Sequence, residues 1–482
     1  MKNFIKSLEL RLSDLLLLLG LAVLAFFLYF GQEFMQHPNP NDVPFPLWAA
    51  IICFVAMIGL FGSYLYIELY IRKEKINPYI AISFAALALL NIVAILAQPA
   101  SSSEVVTIRY NADFPELVGT QETVLLSVSP MHKFIFIAEL TGAATFIYIA
   151  FFVFSKRITG IKFIEYLGFL FFIFLGVMFL FSYITEYNCY LMTFKWLLRI
   201  DKDITMDELS GMYAVKSFIL HKNAFGMMCM IGIIFTFINQ SIKPRIWLYP
   251  LAVFFFINMV FSYCKTGILI TLLVSFIYFI YRLIVTYKDH PKRNKITLIV
   301  TGSIILIALV VVGVPYLTKG KVLGKIYELI KSVTGEGMTM TTRTYIWDNC
   351  WQLLRNGWWL IGRGFGSICL QLMPLNIVTH NDHVFPTHSS LLNMIGSGGI
   401  LLLLGYLVFL GYSGYVVIKS YKKSPEFVFA VGIGVLCFLL YSIIETIHYL
   451  MLVFLFPIFV IYFQKEKEVV GEVPTETKEE LA

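Results

Sequence analysis

The chain has 482 residues, 59% hydrophobic and 14% charged, with a formal net charge of +7 and a mean hydropathy of +0.79. A soluble domain carries about 25% charged residues, and a soluble chain of this length splits into several cores, so a soluble globular protein is excluded. The apolar residues run instead in blocks of about 20, the length that crosses roughly 30 Å of hydrocarbon. The sequence therefore reads as an all-α integral membrane protein.

The first block, 12–31 (LSDLLLLLGLAVLAFFLYFG), is long and has no small-residue cleavage site, so it reads as a retained helix and not a signal peptide. The following blocks are 47–71, 78–98, 132–154, 163–184, 218–239, 246–262, 266–284, 296–314, 390–418, 427–446 and 447–463, giving twelve expected spans in one polytopic domain over 1–464. The acidic end GEVPTETKEELA, within 465–482, reads as a disordered, solvated tail.

Lys and Arg in short loops set the orientation. With the N-terminus in the cytoplasm, the inside segments hold Lys2, Lys6, Arg11, Arg72, Lys73, Lys75, Lys156, Arg157 and Lys162, and further groups at 243–245, 282–295, 419–423 and 465–478. That places 22 of the 37 basic residues on one side. An even span count returns the C-terminus to the cytoplasm. Three loops then face outward: 99–131, 185–217 and 315–389, the last being a long extracytoplasmic loop before span ten. In the first, VVTIRY and TVLLSV alternate around LVGT, a hairpin pattern, although a plain covering loop is the reading favoured for it. The third contains KGKVLGKIYELIKSV, an amphipathic basic stretch suited to a membrane interface. Cys53, Cys229 and Cys437 fall inside spans, and Cys189, Cys264, Cys350 and Cys369 on the outer side, without a zinc pattern. Whether Cys350 pairs with Cys369 is left open.

Four outward places carry polar chemistry. At HKNAFGMM, Lys222 and Asn223 stand where a helix begins, an arrangement suited to a phosphate. On that stretch alone a snorkelling lysine beside a capping asparagine accounts for the pattern. FSYCKTGILITLLVS puts Lys265 and Thr266 at a tight turn before a helix. TRTYIW places Arg343 before a short helix, 344–355, followed by IGRGFGS. Its glycines allow tight turns but make no nucleotide fingerprint, since no βαβ unit contains them. Arg343 and Arg363 are each capable of gripping phosphate oxygens through a planar fork. Finally, THNDHVFPTHSS gathers His380, Asp382, His383 and His388. Their spacing is loose for a metal, and no metal site is expected. His388 differs from the other two, because an apolar helix follows it at once, which sets an imidazole, a side chain suited to proton transfer, at the water–membrane boundary.

His388-Ser389, nine residues and Gly399 resemble the His-[Asn/Ser]-x9-Gly signature of the O-antigen ligase/polymerase superfamily. HKN-x-x-G at 221–226, S-x-x-K-T at 262–266, and Arg343-x-x-x-Trp347 with the downstream glycines resemble further motifs of that family, in the same order. The resemblance covers about 215–405. Two positions depart from it: Leu402 stands where a second glycine is usual, and Lys265 where an arginine is frequent. Lysine keeps the charge and loses bidentate geometry.

The resemblance implies a bacterial cytoplasmic-membrane glycosyltransferase of GT-C-like architecture. Its donor would be a glycan on polyprenyl diphosphate, its acceptor a glycan or lipid. It would work among membrane lipids, with a chain-length regulator as a candidate partner, and with neither nucleic acid nor cofactor. The chemistry fits. Breaking the anomeric bond develops charge on the diphosphate, which fixed cations stabilise, and the acceptor hydroxyl needs a base. His388 is the expected base, and Arg343 and Lys265 the expected diphosphate clamp. Lys222, Asn223, Arg363, His380 and His383 are expected to bind substrate. The rival reading is a lipid-linked glycan transporter (a flippase), for which Glu68, Glu139, Glu165 and Glu445 are available inside the spans. Most lie near span ends, where an interfacial role accounts for them.

Overall fold

The computed structural model describes residues 11–36, 46–108, 119–158, 161–197, 200, 212–219, 221–289, 340–355, 357–380, 386–443, 445–446 and 448–464. The expected ninth span, the amphipathic stretch KGKVLGKIYELIKSV, Asp382, His383 and the acidic tail lie outside these residues.

The described chain is mostly helical. In order come α1 (Leu12–Gln36), α2 (Leu47–Leu65), α3 (Pro78–Ala97), strands β1 (Ser101–Thr107) and β2 (Gln121–Ser127), and α4 (Pro130–Tyr148). Then follow α5 (Ile161–Thr185), α6 (Tyr187–Leu197), α7 (Lys222–Ile242), α8 (Leu248–Phe261) and α9 (Lys265–Asp289). From residue 340 on come α10 (Met340–Leu353), α11 (Trp358–Ile361), α12 (Ser367–His380), α13 (Ser390–Tyr421), α14 (Pro425–Ser442) and α15 (His448–Phe463). Among the described residues eight helices are long and apolar enough to cross a membrane, so the protein is an all-α membrane protein. Helix α8 has 14 residues, a rise of about 21 Å, which is short of the bilayer core. A left-handed turn at Tyr263 (φ 54°) stops it.

The chain forms two compact units. One comprises 1–163, 344–425 and 442–482; the other comprises 164–343 and 426–441. In the first, α1, α2 and α4 pack together, α3 packs against α4, and α13 packs against α3 and α15. Helix α2 runs on into a π-helical turn, Tyr66–Ile71, that carries Glu68. Glu68 is fully buried. Its carboxylate accepts from Arg11 (3.0 Å), Ser13 (2.9 Å) and Arg72 (3.2 Å) and lies 3.2 Å from Arg157. Arg157 also holds Asp14 through a two-pronged pair at 2.8 and 2.9 Å. This network locks α1 and the end of α2 to the turn at Arg157 that follows α4.

The segment expected as the first outer loop holds a hairpin and is not the plain covering loop favoured from sequence. β1 and β2 pair antiparallel from Ser101↔Ser127 to Thr107↔Gln121. Alternation gives one face to a small core: Val106, Val124 and Leu126 pack with Tyr345, Ile346, Cys350 and Leu353 of α10, Ile368, Leu372 and Leu375 of α12, and Leu392 of α13. Cys350 and Cys369 sit in that core as free thiols, so no disulfide joins them. Burial pushes the Cys350 thiol far above its usual range, which leaves it inert.

Helix α13 breaks at Gly398 (φ −134°, ψ 18°) and Gly399 (φ 68°, ψ −168°). Leu401, Leu404, Leu407 and Val408, past the break, are exposed apolar residues. The stretch 400–421 rises about 33 Å, enough to cross the bilayer alone. The stretch before the break is largely buried and packs with the hairpin core. The sequence joins these two pieces into one span because its apolar run is continuous. The structure instead sets His388 a buried half-helix away from the lipid-facing stretch.

In the second unit α7 is enclosed along most of its length. Cys229, Met230, Ile234 and Ile238 are buried along it. Its glycines permit close approach: a Cβ on Gly232 would lie 2.4 Å from the Leu175 side chain of α5.

Candidate active site

His388 occupies a left-handed backbone conformation, φ 49°. For a residue with a Cβ this costs on the order of 1 kcal/mol, and such strain persists only where the surroundings fix it. Here they do. On one side Thr387 donates its hydroxyl to the Ser389 carbonyl at 3.0 Å and meets Thr446 at 3.2 Å. The Trp347 indole donates to the Thr387 carbonyl at 3.0 Å. On the other side the Ser389 hydroxyl caps α13 by accepting from the Leu392 amide at 3.4 Å, and Ser390 donates to the Glu445 carbonyl at 3.0 Å. The His388 imidazole meets Glu445 Oε2 through Nδ1 at 3.1 Å, and the two side chains are 23% and 14% exposed. A carboxylate only accepts, so Nδ1 carries the proton and Nε2 is the basic nitrogen of the neutral ring.

Sequence reasoning missed Glu445, which lies 57 residues after His388. Its place near a span end made an interfacial role sufficient. The only signal in the sequence was that the end of its expected span lies on the same expected side as the start of the span that His388 precedes.

Arg343 and Trp347 both lie on α10, one helical turn apart and so on one face. Arg343 is 9% exposed and is engaged in the protein. The expected helix 344–355 begins a turn earlier, at Met340.

Arg363 is not an open phosphate fork. It is 3% exposed, donates Nε–H to the Leu353 carbonyl at 2.7 Å, pairs with Glu104 of β1 and stacks 4.6 Å from the Trp358 ring centre. Its backbone amide donates to Gly396 O at 2.6 Å, and Gly364 N–H to Ser397 O at 2.9 Å. The glycines around it exist for this close approach. A Cβ on Gly362 would lie 2.5 Å from the Ser397 carbonyl carbon, and one on Gly399 would lie 1.9 Å from the Leu360 oxygen. The glycine loop and the break in α13 are thus one joint, with Arg363 as its pin. Leu402 fills the position of the absent second glycine, and its Cβ lies 2.6 Å from where a Gly398 Cβ would stand.

The second unit brings two of the sequence motifs together. A Cβ on Gly226 would lie 2.4 Å from Cys264 Cβ and 2.8 Å from Ser262 Oγ, and Cys264 Sγ sits 3.9 Å from the Asn223 carbonyl. The HKN-x-x-G start of α7 therefore abuts the S-x-x-K-T turn that opens α9. His221, not Asn223, is the cap residue, and it makes no side-chain capping bond. Lys222 and Lys265 are the first residues of α7 and α9, and the charges of Lys265 and Lys216 both act on Lys222. A cation at a helix N-terminus opposes the helix dipole. Two of them within range of one another, with Lys216 nearby, make an arrangement of the kind that suits an anion. His380 is the last residue of α12, its side chain outside the described set, as is all of His383.

No curated protein and no solved structure matches the chain. Residues 250–407 match the family model of O-antigen ligase; they hold Lys265, Arg343, Arg363 and His388, and the match supports the O-antigen ligase/polymerase superfamily for this chain.

Proposed function

We propose that the protein is an extracytoplasmic glycosyltransferase that polymerises, or ligates, surface polysaccharide repeat units carried on polyprenyl diphosphate. The observation that carries this reading is the coincidence of the O-antigen ligase match with a histidine inside it that is strained in its backbone and tethered through Nδ1 to a carboxylate. In the reaction, the acceptor hydroxyl oxygen attacks the anomeric carbon of the donor glycan. The proton passes to Nε2 of His388, the anomeric C–O bond breaks, and the electron pair leaves on the lipid diphosphate. Direct displacement inverts the anomeric centre. The general base removes the cost of expelling a proton into the transition state, while fixed cations stabilise the charge that grows on the diphosphate.

Arg343 and Lys265 act as the diphosphate clamp, with Lys222 and Asn223 beside Lys265. Arg363 holds the joint at α13 and leaves the clamp. His380 and His383 shape the loop that receives the acceptor. The site faces outward from a bacterial cytoplasmic membrane, with both termini inside. No metal ion takes part: turnover is expected to survive a chelator, and a loss reversed by one specific metal would demote this mechanism.

The test of the reading is direct. Purified protein in vesicles, given polyprenyl-diphosphate-linked oligosaccharide extracted from the producing cell, should yield longer or transferred glycans. Movement of the lipid-linked glycan across the vesicle wall with no new glycosidic bond would favour a transporter. Within the clamp, Arg343→Ala should lower turnover by about 10²–10³. Arg343→Lys should lower it less, and Lys265→Arg should be tolerated. Wild-type product yield from inserted Arg343→Ala would remove that residue from the clamp.

A further inference from the structure

We infer that Glu445 is a positioning residue for the transfer reaction, acting entirely through His388; the inference rests on the reading of His388 as the base. The bond between Glu445 Oε2 and His388 Nδ1 does two things at once. It selects the tautomer in which Nε2 is basic, and it places a negative charge against the ring that becomes imidazolium when the acceptor proton arrives. A histidine whose distal nitrogen is held by a carboxylate keeps its orientation and gains stabilisation of the protonated form during the reaction.

Glu445 is itself built in. Its backbone carbonyl accepts from Ser390, the first residue of α13, so the residue is tied to the helix His388 precedes through both main chain and side chain. The neighbouring Thr446 hydroxyl meets Thr387, the residue before His388. Thus 387, 388 and 390 are each bonded to 445 or 446. A side chain serving only as an interfacial anchor needs none of this reciprocity. The left-handed backbone at His388 (φ 49°) turns the imidazole out of the line of α13 and toward Glu445, so the strain has a geometric purpose: it makes the pair.

The experiment is a double-mutant cycle with full-length protein in vesicles and polyprenyl-diphosphate-linked oligosaccharide as the probe. Glu445→Gln keeps the shape and an acceptor oxygen but removes the charge. It should lower kcat by about 10²-fold with the donor KM within about twofold. Glu445→Asp, which keeps the charge on a shorter arm, should recover part of that loss. In a His388→Ala background Glu445→Gln should cost nothing further, since residues that act as a unit are not additive. A purely structural glutamate would give equal losses for Gln and Asp, and losses that multiply with His388→Ala. Either result overturns the inference, as does wild-type turnover from Glu445→Gln beside a dead His388→Ala. Wild-type turnover from His388→Ala overturns instead the assignment of the base. Should Glu445→Gln insert poorly, Glu445→Asp against the same background decides the question by the same non-additivity.

Discussion

The first unit treats charge in opposite ways at the two ends of its helices. Where α1 begins and α2 ends, Asp14, Glu68, Arg11, Arg72 and Arg157 pair with one another, with Glu68 fully buried and Arg157 and Asp14 nearly so. Where α3 ends and α13 begins, His388 and Glu445 form a partly exposed pair on a strained backbone. The first arrangement has every carboxylate matched by at least one guanidinium and holds α1 and the end of α2 to the turn that follows α4. The second leaves one ring nitrogen for other work. Buried ionic networks are costly to break because removal of one member strands the rest, whereas strain at a single residue with a partner in reach is a mark of a functional position.

The largest effect that separates the two ends is on turnover. His388→Ala should lower product formation by about 10²–10⁴, as removal of a general base does, while the protein inserts as the parent does and melts within a few degrees of it. Measurement beside His380→Ala and His383→Ala in one vesicle assay identifies the base. A normal rate for His388→Ala with either neighbour dead would move the base to that neighbour.

The reverse pattern should appear at the other end. Arg157→Ala leaves Asp14 without its two-pronged partner and removes a neighbour of Glu68. Loss of one member of a buried network costs about 3–5 kcal/mol, read as lower folded yield and a lower melting midpoint in detergent. Whatever protein folds should turn over near the normal rate. A stable Arg157→Ala protein with lost activity would mean that this end, too, belongs to the site.

These ends were legible in the sequence to different degrees. Arg11, Arg72 and Arg157 were grouped from sequence on one expected side, and that reading needs only the placing of basic residues in loops. Their pairing with Asp14 and Glu68 was not, since it depends on how α1, α2 and α4 meet. The helices in the long apolar blocks were legible because length and apolarity alone specify them. Helix α12 was not: it has 14 residues with Pro374 inside and lay in what read as loop. The hairpin was visible as alternation but outweighed by the usual behaviour of loops. The break in α13 was hidden because Gly398 and Gly399 sit in an unbroken apolar run, and only their contact with Leu360 and Gly362 shows why they are there. At the site, His388 and the motif order were readable from spacing. Glu445 was not, because a pair 57 residues apart leaves no local pattern. Arg363 shows the same limit: a guanidinium beside glycines reads as an anion fork, and its pairing with Glu104, from a distant strand, leaves no local pattern.

Arg363 offers a smaller and sharper test of the same contrast. Because it pins the glycine loop, Arg363→Ala should cost about 2–3 kcal/mol, the scale for losing buried hydrogen bonds to a charged group. Donor KM should stay within about twofold. Arg363→Lys should recover little, since one ammonium does not reproduce the bonds to Leu353 O and Glu104 together with the stack on Trp358. A donor KM raised tenfold or more in a protein of normal stability would return Arg363 to the clamp.

The smallest expected effect is the most telling about His388. Glycine enters the left-handed region without steric cost, so His388→Gly should recover about 1 kcal/mol of backbone strain. Against this stand the lost bond to Glu445, about 1 kcal/mol, and the greater freedom of glycine in the unfolded chain, about 0.5–1 kcal/mol. The sum is a loss of about 0.5–1 kcal/mol, so the melting midpoint should fall by no more than a few degrees, while turnover falls as far as in His388→Ala. Glu445 keeps its main-chain tie to Ser390 in this variant, so the surrounding loop has no reason to come apart. A residue kept for folding could not be exchanged so cheaply. A loss of more than about 2 kcal/mol, the range reserved for stranded polar groups and broken networks, would show that the His388–Glu445 pair holds the fold as the Arg157 network does, and the contrast between the two ends would disappear.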